Sequence, residues 1–319
     1  MNKIACLFPG QGSQSVGMGK DLFESNVLAK QCFEEIDAIA GRSLSGLCFA
    51  GPEEELKRTI NTQPTILAMS LAVWRCYEAG GGPQPSFVAG HSLGEFTALV
   101  AAGALPLEGA VRLVEKRARL MEECPPGAMS AVIGLTAADL EAICREATAE
   151  LPPELKQVAV VANFNTREQL VVSGSPEAVQ KACARATVKG ARVISLPVGG
   201  AFHSPLMSGA ADQFAQELDK WTLAAARFPV VQNVDARPAT EAASLKAKLA
   251  SQMPSSVRWC DTIEYILLQG VNTFIEIGPG KALSGMIKKI DKSATTFNIY
   301  DQSTLVQTLS ALRQTITVS

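Results

Sequence analysis

Short apolar runs alternate with longer stretches of helical period along most of this chain, a pattern that predicts an α/β protein. Residues 3–8 read as a strand, followed by a Gly-rich loop and a helix from Met18 to Ala40. Residues 64–79 read as a buried helix closed by Gly80-Gly81-Gly82, and Ser86-Phe87-Val88-Ala89 as a short apolar strand. Helices follow over Glu95 to Ala102 and over residues 107–123. Pro125-Pro126-Gly127 marks a boundary, and beyond it the order of elements changes. Residues 128–134 read as a strand, 136–149 as a helix, 157–162 and 168–173 as two strands, 175–188 as a helix and 191–197 as a strand. That β-α-β-β-α-β order is the ferredoxin-like arrangement. It predicts a small subdomain over 127–197, inserted into a larger one made of 1–126 and 198–319. A strand over 271–277, before Gly278-Pro279-Gly280, belongs to the larger part.

One position breaks the pattern. On the helix of residues 107–123, Ala110, Leu113, Val114, Leu120 and Met121 share a face, while Arg112, Glu115, Lys116, Arg119, Glu122 and Glu123 share the other. Arg117 falls in the middle of the apolar face. A guanidinium stays charged, so once buried it needs a partner. An internal ion pair would serve, and so would a substrate carboxylate held by two parallel hydrogen bonds.

The strand at 86–89 runs into Gly90-His91-Ser92-Leu93-Gly94 and then into a helix. This strand–turn–helix context is what a G-x-S-x-G nucleophile elbow requires. The turn exposes Ser92 Oγ and leaves the N–H of Leu93 at a helix start, where it can donate to an oxyanion. A serine needs a base, and histidine is the usual one near neutral pH. The chain holds two histidines. His91 adjoins Ser92, and the elbow turns neighbouring side chains apart. His203, in Gly200-Ala201-Phe202-His203-Ser204-Pro205, is left as the candidate base. No acid stands out to orient its ring. The loop Phe8-Pro9-Gly10-Gln11-Gly12-Ser13-Gln14 fits neither G-x-G-x-x-G nor the Walker A pattern, so nucleotide binding is not expected there. Its backbone can still face an anion, with Gln11 as a second oxyanion donor.

Composition narrows the class further. Of 319 residues, 47% are hydrophobic and 19% charged, and the net charge of −2 argues against a nucleic-acid binder. Eight scattered cysteines without a C-x-x-C pair read as reduced thiols of a cytoplasmic protein, with neither a disulfide framework nor a metal site. The N-terminal apolar stretch meets Pro9-Gly10 too soon for a signal segment, and no membrane span is expected.

Taken together, these pieces resemble the malonyl-CoA:acyl carrier protein transacylases of dissociated fatty acid synthesis. The resemblance covers nearly the whole chain. It rests on the segment from Phe8 to Gln14, on Gly90-His91-Ser92-Leu93-Gly94-Glu95, and on Arg117 in Lys116-Arg117-Ala118. Ala201-Phe202-His203-Ser204 and Ile275-Glu276-Ile277-Gly278-Pro279-Gly280-Lys281 complete it, in the family's order and spacing. It implies an α/β-hydrolase-like large subdomain with a ferredoxin-like small one. It implies Ser92 as nucleophile, His203 as base, and an oxyanion hole from the N–H groups of Gln11 and Leu93. Arg117 would hold the malonyl carboxylate, and His91, Phe202 and Asn163 would line the substrate site. The backbone carbonyl of Gln252 would orient His203, in place of an acid.

The resemblance further implies ping-pong transfer of a malonyl group from malonyl-CoA to the phosphopantetheine thiol of holo acyl carrier protein, without a cofactor, by a monomer. Phe202 and Leu93 match the malonyl-using members, and a bulky ring at Phe202 leaves little room for an α-methyl group. Lys189, Arg192, Lys281, Lys288 and Lys289 are candidates for meeting an acidic carrier protein. One departure is the segment Asn163-Phe164-Asn165-Thr166-Arg167-Glu168-Gln169, where the family often has a Pro-Gly type turn. Alternatives are a free-standing acyltransferase loading a polyketide carrier protein, a serine esterase or thioesterase, and a binding module. A conventional hydrolase triad would need Asp139, which falls in the predicted small subdomain.

Overall fold

The computed structural model describes residues 3–317; Met1 and Asn2, at the head of the N-terminal apolar stretch, lie outside them. The chain builds a mixed α/β molecule with two sheets. The first strand, β1 (Ile4–Phe8), is buried along its length. The helix predicted over Met18 to Ala40 is two helices, α1 (Lys20–Ser25) and α2 (Val27–Ala40). Asn26 is extended between them, and its side chain accepts the N–H of Leu28, so an N-cap interrupts what periodicity read as continuous. Short helices α3 (Leu44–Ala50) and α4 (Glu53–Lys57) follow.

Helix α5 (Thr59–Ala79) starts five residues before its predicted start and holds Pro64 inside it. Proline removes the hydrogen bond that the Ile60 carbonyl would receive. Arg42 Nη2 donates to that carbonyl at 3.0 Å instead, which offsets the loss. Strand β2 (Phe87–Gly90) leads into α6 (Gly94–Ala101), and α7 (Leu107–Glu122) carries the face with Arg117.

The next elements are β3 (Ala128–Ile133), α8 (Ala137–Ala149), β4 (Ala159–Phe164), β5 (Gln169–Gly174), α9 (Pro176–Val188) and β6 (Arg192–Ser195). Their four strands form an antiparallel sheet in the order β4-β5-β3-β6. Alternate residues face opposite sides. Val132, Leu170 and Val172 pack with Ile143, Val179 and Ala182 of α8 and α9 in a core of their own. Met129 and Val171 turn the other way and join the main core. Without a Pro-Gly pair, the β4–β5 turn is closed by Thr166, whose hydroxyl accepts the N–H of Gln169 at 3.0 Å.

The chain then forms α10 (Ser208–Leu218), β7 (Val230–Val231), β8 (Pro238–Ala239), α11 (Ala242–Ala250) and α12 (Trp259–Leu268). It ends with β9 (Thr273–Ile277), α13 (Ala282–Ile290), β10 (Thr295–Ile299) and α14 (Gln302–Thr317). The large sheet has the order β10-β9-β1-β2-β7-β8, parallel except for the last pair. Register places Phe8 opposite Gly90, so the loops after β1 and β2 leave the sheet side by side at its carboxyl edge. That edge is where open parallel sheets hold ligands. All eight cysteines are free thiols. Among the described residues, no helix is long and apolar enough to cross a membrane, and no group of three or more acidic, His or Cys side chains could hold a metal ion.

Candidate active site

Ser92 sits between β2 and α6 at φ 52°, a backbone conformation that L side chains rarely adopt. The two flanking glycines make the turn possible. A Cβ on Gly90 would stand 1.9 Å from the carbonyl carbon of Gly94, and one on Gly94 would stand 2.1 Å from the Phe8 carbonyl oxygen. The amides of Gly94 and Glu95 are taken by the carbonyls of His91 and Ser92. Among the described residues no acceptor takes the N–H of Leu93 or that of Gln11, while the Gln11 side chain donates to Thr59 Oγ1 at 3.2 Å. Both amides belong to the two loops that the β1–β2 register brings together.

His203 Nε2 lies 2.7 Å from Ser92 Oγ. Its Nδ1 meets two backbone carbonyls, that of Ser255 at 3.0 Å and that of Gln252 at 3.3 Å. A carbonyl only accepts, so Nδ1 carries the hydrogen and Nε2 presents its lone pair to the serine hydroxyl. The family resemblance pointed to Gln252 alone; the shorter contact, to Ser255, left no local signal. Asp139 is not involved: it closes the N-terminus of α8 with Thr136. Burial, then the charge of Arg117, then the neighbouring His91 push the His203 imidazole down to about 3. The ring is therefore neutral near pH 7 and able to accept a proton.

Arg117 is 1% exposed, in the middle of the buried face of α7. Its Nη1 donates to Gln63 Oε1 at 2.7 Å, and its Nη2 to Ser92 Oγ at 2.9 Å and to Gln252 Oε1 at 3.0 Å. These acceptors are neutral, so the ion pair considered for it is not what holds it. Its Nε is buried with no acceptor among the described residues. Burial lowers the guanidinium to about 10, with partial relief from the charge of Glu95, and it remains a cation at neutral pH. Phe96 packs a ring 5.7 Å from its centre. Gln252 also donates from Nε2 to the Ser92 carbonyl at 3.0 Å. Ser92, His203, Arg117 and Gln252 thus form one closed set of contacts.

A cleft of about 240 Å³ opens onto Ser92 and His203. Gln11, His91, Asn163 and Phe202 line it, as do Met121, Met129 and Met286. His91 does not project idly away: its Nε2 lies 2.8 Å from Asn165 Oδ1, and its ring packs 5.4 Å from that of Trp259. Leu93 is buried and contributes its backbone to the elbow. Of the basic candidates, Lys189 faces Asp139 at 3.8 Å and Lys289 donates to Gln169 Oε1 at 3.0 Å. Lys288 donates to the Lys292 carbonyl, and Lys281 stands over the Tyr300 ring. Arg192 is exposed on β6. Gln63, Asn165, Ser255 and Asn233, whose side-chain oxygen accepts the Ser92 N–H, escaped sequence reading, because nothing near each in the chain marks its partner.

Comparison with known proteins gives a consistent set of relatives. The family model of the acyl transferase domain matches residues 6–308. The malonyl CoA-acyl carrier protein transacylase of Bacillus subtilis (strain 168) is 43% identical over 318 residues, covering 98% of each chain. The solved structure of the malonyl CoA-acyl carrier protein transacylase from Coxiella burnetii superposes with a TM-score of 0.92 at 40% identity, over 97% of each chain. A malonyl-transacylase solved in complex with a type II PKS acyl-carrier protein superposes with a TM-score of 0.93 at 39% identity, over 97% of this chain and 100% of that one.

Proposed function

This chain belongs to the acyl transferase domain family, among the malonyl CoA-acyl carrier protein transacylases, and from that premise we propose that it moves a malonyl group from malonyl-CoA to the phosphopantetheine thiol of holo acyl carrier protein. The observation that carries the reading is Ser92 Oγ, held 2.7 Å from a neutral His203 and 2.9 Å from a buried arginine. The first two supply a nucleophile and its base; the third gives a malonyl carboxylate its cation.

Transfer proceeds in two halves. His203 Nε2 takes the proton of Ser92 as Oγ bonds to the thioester carbon. The resulting oxyanion accepts hydrogen bonds from the N–H groups of Gln11 and Leu93; losing one such donor costs about 10²–10³ in rate. The carbon–sulfur bond breaks and the CoA sulfur leaves with the proton from His203. The phosphopantetheine thiol then attacks the malonyl-serine ester, and the same steps run in reverse. One acyl donor, malonyl-CoA, and one acceptor, the phosphopantetheine thiol, are the only reactants this chemistry calls for. Arg117 holds the malonyl carboxylate, with His91, Asn163 and Phe202 shaping the cleft, and the carbonyls of Gln252 and Ser255 orient His203.

In the same reading, residues 127–197 form a ferredoxin-like subdomain inserted in an α/β-hydrolase-like one made of 1–126 and 198–319. The strand order β4-β5-β3-β6 supports the first, and the parallel sheet with its elbow after β2 supports the second. The enzyme acts as a cytoplasmic monomer in fatty acid synthesis. A polyketide carrier protein is the second reading, since one close structural relative was solved with such a carrier.

The test is intact-protein mass after brief mixing with malonyl-CoA. A malonyl adduct that needs Ser92 and passes to holo acyl carrier protein is expected. Steady CoA release without an adduct would instead indicate a hydrolase. Offering fatty acid and polyketide carrier proteins side by side separates the two transferase readings.

A further inference from the structure

Arg117 occupies an unusual place for a residue that binds a substrate's remote end. Its Nη2 donates to the nucleophile itself, at 2.9 Å from Ser92 Oγ, while His203 Nε2 sits 2.7 Å from the same oxygen. Two consequences follow for acylation. The Oγ lone pair that accepts from Arg117 loses basicity when Oγ becomes an ester oxygen, so that hydrogen bond is stronger before attack than after it. Interactions stronger in the ground state slow the chemical step. In addition, His203 becomes an imidazolium during attack, and a buried cation close by opposes that charge.

We propose that Arg117 restrains Ser92 and His203 until a carboxylate takes its guanidinium, so that the malonyl carboxylate switches on the nucleophile as well as fixing the substrate. The proposal rests on the malonyl-transferase reading and deepens it. A carboxylate on the guanidinium competes for the Nη2 hydrogen and neutralises the cation. Ser92 Oγ is then released to attack, and His203 accepts its proton more readily. The guanidinium is suited to such an exchange, because Gln63, Gln252 and Ser92 are neutral acceptors and Nε has none. A charged acceptor forms the stronger hydrogen bond and displaces them. Burial of Arg117 and of His203 keeps water from screening the effect. The direction of the His203 shift, with Arg117 as its second cause after burial, agrees. The other charged or titratable groups bearing on this pair are His91 and Glu95. Neither touches Ser92 Oγ.

The carboxylate need not be covalently part of the acyl group. Acetyl-CoA together with free formate supplies the malonyl group in two pieces, cut at the bond between its methylene carbon and its carboxylate and capped there with hydrogen. The step itself is unchanged: the Ser92 proton passes to His203 Nε2, the Oγ–carbon bond forms, the carbon–sulfur bond breaks, and the CoA sulfur takes the proton. Formate is not consumed.

Rapid mixing of the full-length enzyme with acetyl-CoA, read as the acetyl adduct on Ser92 by intact mass, tests this. Sodium formate is titrated against sodium chloride at equal ionic strength, and malonyl-CoA is run in parallel. Formate is expected to accelerate acetylation about tenfold, the effect of relieving one charge-assisted hydrogen bond. It is expected to slow malonylation by competing for Arg117. In Arg117→Ala, acetylation is expected to be faster than in the parent and indifferent to formate. Formate that slows malonylation yet leaves acetylation unaccelerated overturns the proposal. So does formate without effect on either reaction, if Arg117→Ala acetylates no faster than the parent. Absence of any malonyl adduct overturns the transferase reading, and this proposal with it.

Discussion

The side-chain oxygen of Asn233 accepts the backbone N–H of Ser92 at 2.7 Å, across 141 residues of chain. The same side chain donates from Nδ2 to the Gly90 carbonyl at 2.7 Å, and its backbone N–H donates to Glu95 Oε2 at 2.8 Å. One buried residue thus ties the end of β2 to the elbow through its side-chain amide, and to the first turn of α6 through its backbone. A non-glycine residue at positive φ costs about 1–3 kcal/mol and persists only where its surroundings hold it. Asn233 on the Ser92 N–H and Gln252 on its carbonyl hold Ser92 there. Asn233→Ala is expected to lower the rate of Ser92 acylation about tenfold to a hundredfold, as misplacing a nucleophile by part of an ångström does. The KM for malonyl-CoA should change little, because Arg117 and the cleft remain. Single-turnover mass measurements separate the two parameters, and an unchanged acylation rate in a folded variant would show the brace to be dispensable.

Ser92→Ala removes the oxygen that His203 Nε2 contacts among the described residues and is expected to abolish the acyl adduct. In the proposed mechanism, His203→Ala keeps the nucleophile but removes its base. A fall of about 10²–10⁴ in acylation rate is expected, the usual span for general acid–base catalysis. A His203→Ala enzyme acylating at the parent rate would reassign the base.

The depressed basicity of His203 has a defined effect of pH. The group titrates at about 3 in the folded chain, against about 6.5 for an unperturbed histidine. Acylation should show no inflection near pH 6.5 from this group, and should fall only as pH approaches the lower value. Between about 3 and 6.5 the unfolded chain binds a proton that the folded chain does not. The His203 contribution to stability therefore rises with pH through that window and is lost on acidification. Arg117→Ala removes one cause of the shift and is expected to move the inflection upward. The pH profile of the acylation rate, parent against variant, checks both the position and the sign.

Phe202 is buried in the cleft wall beside His203. Shortening it to Leu or Ala opens space next to the reacting carbon. One methyl group in an apolar pocket is worth about 1–3 kcal/mol, so methylmalonyl should gain about tenfold relative to malonyl. Competition between the two thioesters, read as the ratio of adduct masses, measures it. An unchanged ratio would place the methyl-excluding surface elsewhere.

Arg42 offers a test of stability away from the chemistry. It supplies the Ile60 carbonyl with the donor that Pro64 lacks, and it also reaches Asn61 Oδ1 at 2.6 Å. Arg42→Ala is expected to destabilise the fold by about 1–3 kcal/mol, the cost of leaving such acceptors unpaired. Urea unfolding would show it, with Ser92 acylation in the folded variant unaltered.

Most of the order of strands and helices through Ser195 was legible in the chain, since burial on one face imposes a period on local sequence; the short helices α3 and α4 were not. Legible too were the elbow, whose G-x-S-x-G pattern is local even though Gly94 is forced by the distant Phe8 carbonyl, and Arg117, a charge set among apolar neighbours on one helix face. The misread helix boundaries are places where one side chain overrode the period: Asn26 capping the helix that follows it, and Arg42, from outside the helix, making Pro64 tolerable inside α5. The resemblance supplied Gln252, which composition and period did not. Asn233, Gln63, Asn165 and the Ser255 carbonyl became visible only in three dimensions. Each meets its partner across 52 to 141 residues. A polar group's partner leaves no imprint on the residues beside it, because hydrogen bonds are satisfied by whatever the fold brings near. The sequence by itself determined which residues are buried and where the turn exposes a serine. The tertiary structure alone decided what that serine touches, and so how its reactivity is set.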